Sequence, residues 1–171
     1  RLSYFEAHPE WYCLRDGRRS PNLGESGGDN YCTSNRDATT ELMKNLVRNC
    51  IDGPWRYADV INFWMLDGGH WCDCPDCRKQ GSYTDRLMRV IDAALKALHR
   101  ARAEGRLPRP VEIATLAYHE TLKPPSRPLP DDFDYQNCSV TYFPIQRCYA
   151  HSLADPSCTE INQPLTREFE G

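Results

Sequence analysis

The sequence predicts an α/β fold made of parallel βαβ units, a section of a (β/α)8 TIM-type barrel. Two observations carry this expectation. Short β-branched and aromatic runs alternate with stretches whose apolar residues recur at helical spacing. Polar and aromatic residues then gather just after each run, where parallel sheets and barrels place their sites. About four strands are expected. A whole barrel takes about 250 residues, so a chain of 171 would supply roughly half of one. A small open sheet, complete in itself, is the alternative.

Each element has its own signal. Residues 8–30 are loop-rich: "HPEWYCLRDG" gives way to "RRSPNLGESGGDN", where Pro, Gly, Ser, Asn and Asp gather without periodicity and predict a long surface excursion. "YCTSN" at 31–35 is expected to be a strand end entering a helix, with Ser34 or Asn35 as cap and Asp37 in the first turn. Leu42, Met43, Leu46, Val47 and Cys50 then mark an amphipathic helix over 37–50. "ADVINFWML" at 58–66 is apolar on both faces, as a buried parallel strand requires, and stops at Asp67-Gly68-Gly69. Leu87, Ile91, Ala94, Leu95, Leu98 and Ala101 predict a helix over 83–103, ended by Gly105 and two prolines. "VEIATLAYHE" at 111–120 repeats the strand pattern, "TLKPPSRPLPDD" leads the chain away, and "CSVTYFPIQRCYAH" at 138–151 supplies another strand. No internal repeat stands out, and one domain section over 1–171 is expected.

Composition narrows the function classes. With 21 basic and 24 acidic side chains interspersed and a net charge of -3, no basic stripe suits a phosphate backbone, which sets nucleic acid aside. No apolar run approaches the roughly 18–20 residues of a bilayer span. A first residue of Arg1 and a last stretch of "LTREFEG" suggest a piece of a longer chain. Half a barrel would leave open sheet edges, so the remainder of a longer chain, or a partner chain, is expected to cover them. Nine cysteines, an odd number, cannot all pair within the chain.

Three of them, Cys72, Cys74 and Cys77, form C-x-C-x-x-C among turn residues that let the sulfurs converge. Thiolates at this spacing suit a structural zinc, which takes four tetrahedral ligands. Cys32, expected near a neighbouring strand end, is favoured over His70 as the fourth. A disulfide within the cluster is the other reading. If four protein ligands close the shell, the site braces a loop and performs no chemistry.

Asp67, His119, Glu120, Arg147 and His151 fall at or just after expected strand ends, with Trp64, Trp71, Tyr118 and Tyr149 beside them. Two carboxylates with flat rings are what sugar hydrolysis needs: one donates a proton, the other serves as base or nucleophile, and the rings hold the sugar. Asp67 and Glu120 are therefore the candidate catalytic pair. Trp64, Trp71, Tyr118, His119, Arg147, Tyr149 and His151 are the candidate substrate contacts. The plainer reading has Asp67 forming a turn, Glu120 as a loop charge and the tryptophans packing the core. There is no P-loop, H-E-x-x-H or G-x-G-x-x-G.

"HPEWY" at 8–12, "YCTSN" at 31–35, "LDGGHWCDCPDC" at 66–77, "TLAYHETLKPP" at 115–125 and "FPIQRCYAH" at 143–151 together span nearly the whole chain. In this order they resemble the bacterial DUF4838 family. That family is similar to glycoside hydrolases with (β/α)8 barrels, and its members are generally large, multidomain and exported. The resemblance implies a central to C-terminal section of such a barrel acting on glycans. Its H-P-E-[WY] maps to His8, Pro9, Glu10 and Trp11, its C-x-[ST]-N to Cys32, Ser34 and Asn35, and its C-x-C-x-x-C to Cys72, Cys74 and Cys77. The family's strand before that cluster commonly ends Q-N-D, whereas here it ends Met65, Leu66 and Asp67. The loss of two polar groups makes a non-catalytic glycan-binding or structural module the alternative expectation.

Overall fold

The computed structural model of the chain describes residues 4–22 and 28–170. A short helix α1 (Tyr4–Ala7) and a 3-10 turn (Pro9–Trp11) lead into a two-stranded hairpin, β1 (Leu14–Arg15) and β2 (Arg18–Arg19). Its turn is Asp16-Gly17, both at positive φ (49° and 75°), the backbone that a two-residue hairpin favours. Helix α2 (Arg36–Ile51) starts where the Asn35 side chain accepts a bond from the Ala38 N–H at 2.9 Å, so Asn35 rather than Ser34 is the cap. It buries Met43, Leu46, Val47 and Cys50, the face expected from their spacing.

Strand β3 (Val60–Asn62) is followed by the short helix α3 (Pro75–Lys79) and the long helix α4 (Tyr83–Ala103). A full capping box opens α4: the Asp85 N–H bonds Ser82 Oγ at 3.1 Å, and the Ser82 N–H bonds Asp85 Oδ2 at 2.6 Å. Leu87, Ile91, Ala94, Leu95 and Leu98 of α4 are all essentially sealed from solvent. Burying each of the leucine and isoleucine side chains contributes about 1.5–3 kcal/mol. Then come β4 (Glu112–Ala117), a 3-10 turn (His119–Thr121), β5 (Cys138–Tyr142) and helix α5 (Asn162–Glu170).

The sheet is three-stranded and parallel, in the order β3-β4-β5, so the chain is mixed α/β with parallel pairing as expected. Ile61, Ile113 and Cys138 share one face and pack into the core under α2 and α4. The opposite face, carrying Val60 and Asn62 on β3, Ala114 on β4, and Ser139 and Thr141 on β5, is largely open.

Three expectations are corrected. The sheet holds three strands rather than about four, because Tyr31 makes only an isolated bridge to Tyr12. Residues 63–66 and 143–151 leave the ladder: in the first, apolar residues continue along the chain but bury against irregular segments instead of a neighbouring strand, and in the second Phe143, Ile145 and Tyr149 are exposed. Finally, the polar stretch read as a surface excursion is not all on the surface. Its middle, 23–27, lies outside the described residues, but Asp29 and Asn30 are buried. Among the described residues, no helix is long and apolar enough to cross a membrane.

Candidate metal centre and the strand-end grooves

Four buried thiols, those of Cys32, Cys72, Cys74 and Cys77, lie with their Sγ atoms all within 4.8 Å of one another. Cys32 Sγ is 3.7 Å from both Cys74 and Cys77, too far for a disulfide and close to the edge of a tetrahedron of sulfurs about 2.3 Å from a shared zinc, roughly 3.8 Å. The described cysteines are all free thiols. The donor set therefore fits a metal that accepts four thiolates.

Three segments build this centre. Cys74 caps α3, with Pro75 at the first helical position, and its Sγ accepts the Cys77 N–H at 3.4 Å. The hairpin supplies the Leu14 N–H to Cys72 Sγ at 3.2 Å, and the segment before α2 supplies the Ser34 N–H to Cys77 Sγ at 3.4 Å. Such N–H groups aimed at sulfur stabilise the thiolate form. Cys32 is held by its own N–H on the Trp11 carbonyl at 2.8 Å. His70, the rival fourth ligand, turns to Asp73 at 2.7 Å instead.

Without a cation the four thiols must share protons. Hydrogen bonds from Cys32 and Cys72 draw the Cys77 thiol far below its ordinary value, while its bonds with Cys72 and Cys77, and then burial, push Cys32 far above it. A divalent cation held by the four sulfurs would replace the shared protons. Burial would lower Arg19, yet the Cys32, Cys72 and Cys74 sulfurs outweigh it and hold its guanidinium charged beside the cluster. Arg19 was not legible as part of this site, because nothing in its local sequence points to sulfur.

The centre adjoins the turn that ends the strand region of β3. Asn30 reaches into that turn: its Oδ1 accepts the Leu66 N–H at 2.9 Å and its Nδ2 donates to the Gly69 carbonyl at 3.2 Å. Gly68 has φ 61°, and a Cβ on Gly69 would sit 2.6 Å from Leu66 Cβ, so Asp67-Gly68-Gly69 is a turn in which both glycines are required. Asp67 itself is exposed there, and its carboxylate makes no hydrogen bond or ion pair among the described residues.

Two grooves open beyond the C-terminal ends of the strands. One, about 360 Å³, lies against residues 63–66 and is lined by Trp64 together with Tyr4, Trp11, Tyr31 and Glu41. The other, about 570 Å³, lies past β4 and β5 and brings together Tyr118, Arg147 and Tyr149, with Arg147 over the Tyr149 ring at 4.7 Å. Trp64 and Tyr118, ring centroids 5.5 Å apart, stand between them. Glu120 accepts the Trp71 indole N–H at 2.9 Å. Trp71 is 4% exposed and stacked on Tyr83 at 5.2 Å, so its ring faces are taken by packing and it acts as a holder of Glu120 rather than an open platform. His119, at φ 48°, is exposed with its ring edge-on to Tyr118. His151 lies apart from these rings, with Nδ1 3.2 Å from Cys148 Sγ.

A family model described as a domain of unknown function, DUF4838, matches residues 2–167. The chain belongs to this family. No curated protein and no solved structure matches it. Within this DUF4838 chain, the motifs at 8–11 and 32–35 carry roles that are visible one residue at a time. His8 stacks on Trp11 at 4.0 Å and thereby sets one wall of the smaller groove. Cys32 supplies a sulfur, Ser34 bonds two of the others, and Asn35 caps α2. Sequence reasoning missed Tyr4, Trp11 and Glu41 as groove residues because they meet only in the folded chain, where Tyr4 Oη donates to Glu41 Oε1 at 2.9 Å and the Tyr4 ring lies 5.5 Å from Trp11.

Proposed function

We propose that this DUF4838 chain is a section of a (β/α)8-like, exported, carbohydrate-active protein whose four-cysteine centre holds a structural zinc. The observation that carries the reading is that Trp64 lines one groove, and Tyr118, Arg147 and Tyr149 the other, beyond the C-terminal ends of three parallel strands, with Glu120 two residues after Tyr118 and held by the Trp71 indole N–H. Open aromatic faces suit sugar rings, and a carboxyl oriented by an indole N–H suits acid/base work at a glycosidic oxygen. In this reading Glu120 acts on the glycan and Trp71 positions it. His119, Arg147 and the two tyrosines orient the sugar. The open edges at β3 and β5 are where the remaining strands of a barrel, or a partner chain, pair, and the open face then turns toward the barrel interior. Zinc on Cys32, Cys72, Cys74 and Cys77 has no open position, so it anchors the loop from which Trp71 reaches Glu120 and takes no part in the chemistry.

A second reading, a glycan-binding module without turnover, is favoured by Asp67: it is exposed in its turn, and among the described residues nothing hydrogen-bonds or ion-pairs with its carboxylate. The two separate on one protein containing the complete barrel. Hydrolysis of a glycan panel that falls about 10²–10⁴-fold in Glu120→Gln supports the enzyme. Binding without hydrolysis, weakened about tenfold by Trp64→Ala, supports the module. Neither binding nor hydrolysis of any glycan overturns both.

A further inference from the structure

The loop after β5 contains three metal-ligating side chains that the strand-end reading does not use. Cys148 is half-buried, His151 exposed and Cys158 buried, and their ligating atoms lie within 4.8 Å of one another. Cys148 Sγ and His151 Nδ1 are 3.2 Å apart. They stand at C-x-x-H-x6-C, a step short enough for Cys148 and His151 to share one turn while Cys158 returns from the other side.

The arrangement is built, because a buried side chain at the start of α5 organises it. Asn162 is fully buried, and its Oδ1 accepts the Cys148 N–H at 2.8 Å. Its Nδ2 donates to the carbonyls of Cys148, His151 and Ser152 at 3.2, 3.2 and 2.9 Å. One amide thus clasps both ends of the Cys148 to Ser152 turn. Cys158 is tied to the same helix start, its carbonyl accepting the Gln163 N–H at 3.0 Å. So much polar wiring around one turn fixes the two sulfurs and the imidazole as a set.

We infer that Cys148, His151 and Cys158 form a second metal site that takes a zinc-class divalent cation through two thiolates and one imidazole and leaves one coordination position to solvent. Two thiolates and an imidazole are a borderline-soft donor set that zinc and cobalt(II) accept, while calcium and magnesium require oxygen. Unlike the four-thiolate centre, this set does not close a tetrahedron, and exposed His151 places the remaining position toward water. Asp155, four residues after His151, is occupied with the Ser157 N–H and Oγ at 2.8 and 2.7 Å. The site lies in the loop that provides Arg147, Tyr149 and Leu153 to the larger groove, so a bound cation stiffens that wall. The inference stands on this loop alone and is independent of any glycan.

The test is metal stoichiometry on the whole chain, purified without added metal or oxidant, then equilibrated with zinc and desalted. Wild type is expected to carry one more equivalent of zinc than Cys148→Ser/Cys158→Ser, whatever the four-cysteine centre holds, and His151→Ala is expected to retain the extra zinc more weakly. Cobalt(II) titration supplies the second measurement: the double variant should lose one set of visible bands while keeping those of a four-thiolate ion. Equal zinc content and identical cobalt spectra in wild type and double variant would overturn the site. So would peptide mass mapping that finds Cys148 and Cys158 joined as a disulfide in freshly purified protein.

Discussion

Cys77 is the point on which the four-cysteine cluster converges. Its sulfur accepts the Ser34 N–H and contacts the Thr33 and Ser34 hydroxyls and the Cys32 sulfur. A serine there keeps the size and some hydrogen bonds but not the soft thiolate a metal needs. If the proposed zinc is bound there, Cys77→Ser is therefore expected to lose it and about 3–5 kcal/mol of stability, read together by elemental analysis and the urea midpoint. Full metal content with an unchanged midpoint would remove Cys77 from the ligand set. Asn30 offers a second case at the same scale. Both of its amide atoms are used within one turn, so Asn30→Ala leaves the Leu66 N–H and the Gly69 carbonyl without their partner and should cost about 2–3 kcal/mol in thermal or chemical unfolding. The cysteines could be read from spacing because metal binding imposes a local pattern. Asn30 could not: Gly-Gly-Asp-Asn has the composition of an exposed turn, and only the return of residues 66–70 beside it makes the amide a buried strut.

Among the elements, α4 was legible end to end, since its apolar stripe and the Gly105 stop are both local. What the stripe does not reveal is that Asp85 serves two masters. It completes the capping box and also accepts the Ser126 hydroxyl and the Arg127 N–H, which docks the proline-rich segment on the start of the helix. Burial alone would raise this carboxyl, but the bonds from Ser126, Ser82 and Arg127 outweigh it and hold it below the usual carboxylate range. A carboxyl lowered by folding stabilises the fold above its unfolded value, about 3.9, and that contribution is lost as pH falls through the folded value. Asp85→Asn should thus cost about 1–3 kcal/mol at pH 7, and the gap to wild type should close as pH drops below about 4. Urea midpoints at pH 7, 5 and 3 measure it, and a gap that stays constant would deny the ionised form its role. The strands were overextended in the reading because an apolar run records burial, not hydrogen-bond pairing. "FWML" buries Met65 as a strand would, yet after the Phe63 N–H bonds the Ala114 carbonyl the ladder ends.

At the scale of the molecule, the parallel sheet has helices on one side only and no described strand beyond β3 or β5. On β5, Val140 is 55% exposed, and Phe143 and Ile145 just after it are each about half exposed. A parallel sheet is ordinarily covered on both faces, and an uncapped apolar edge is a template for another strand. The 171-residue chain in isolation is therefore expected to associate with itself as concentration rises. Placing a charge on that edge should oppose pairing without disturbing the core, because Val140 lies outside the sealed cluster around Ile113 and Leu87. Val140→Lys should shift the sedimentation distribution toward monomer at equal concentration, with the unfolding midpoint changed by no more than about 0.5 kcal/mol. The same substitution in a protein carrying the remaining strands should instead be costly, since a lysine would then stand inside a paired sheet. A chain that stays monomeric at high concentration with Val140 intact would show that this edge is self-sufficient, and would favour the small open sheet over the section of a barrel.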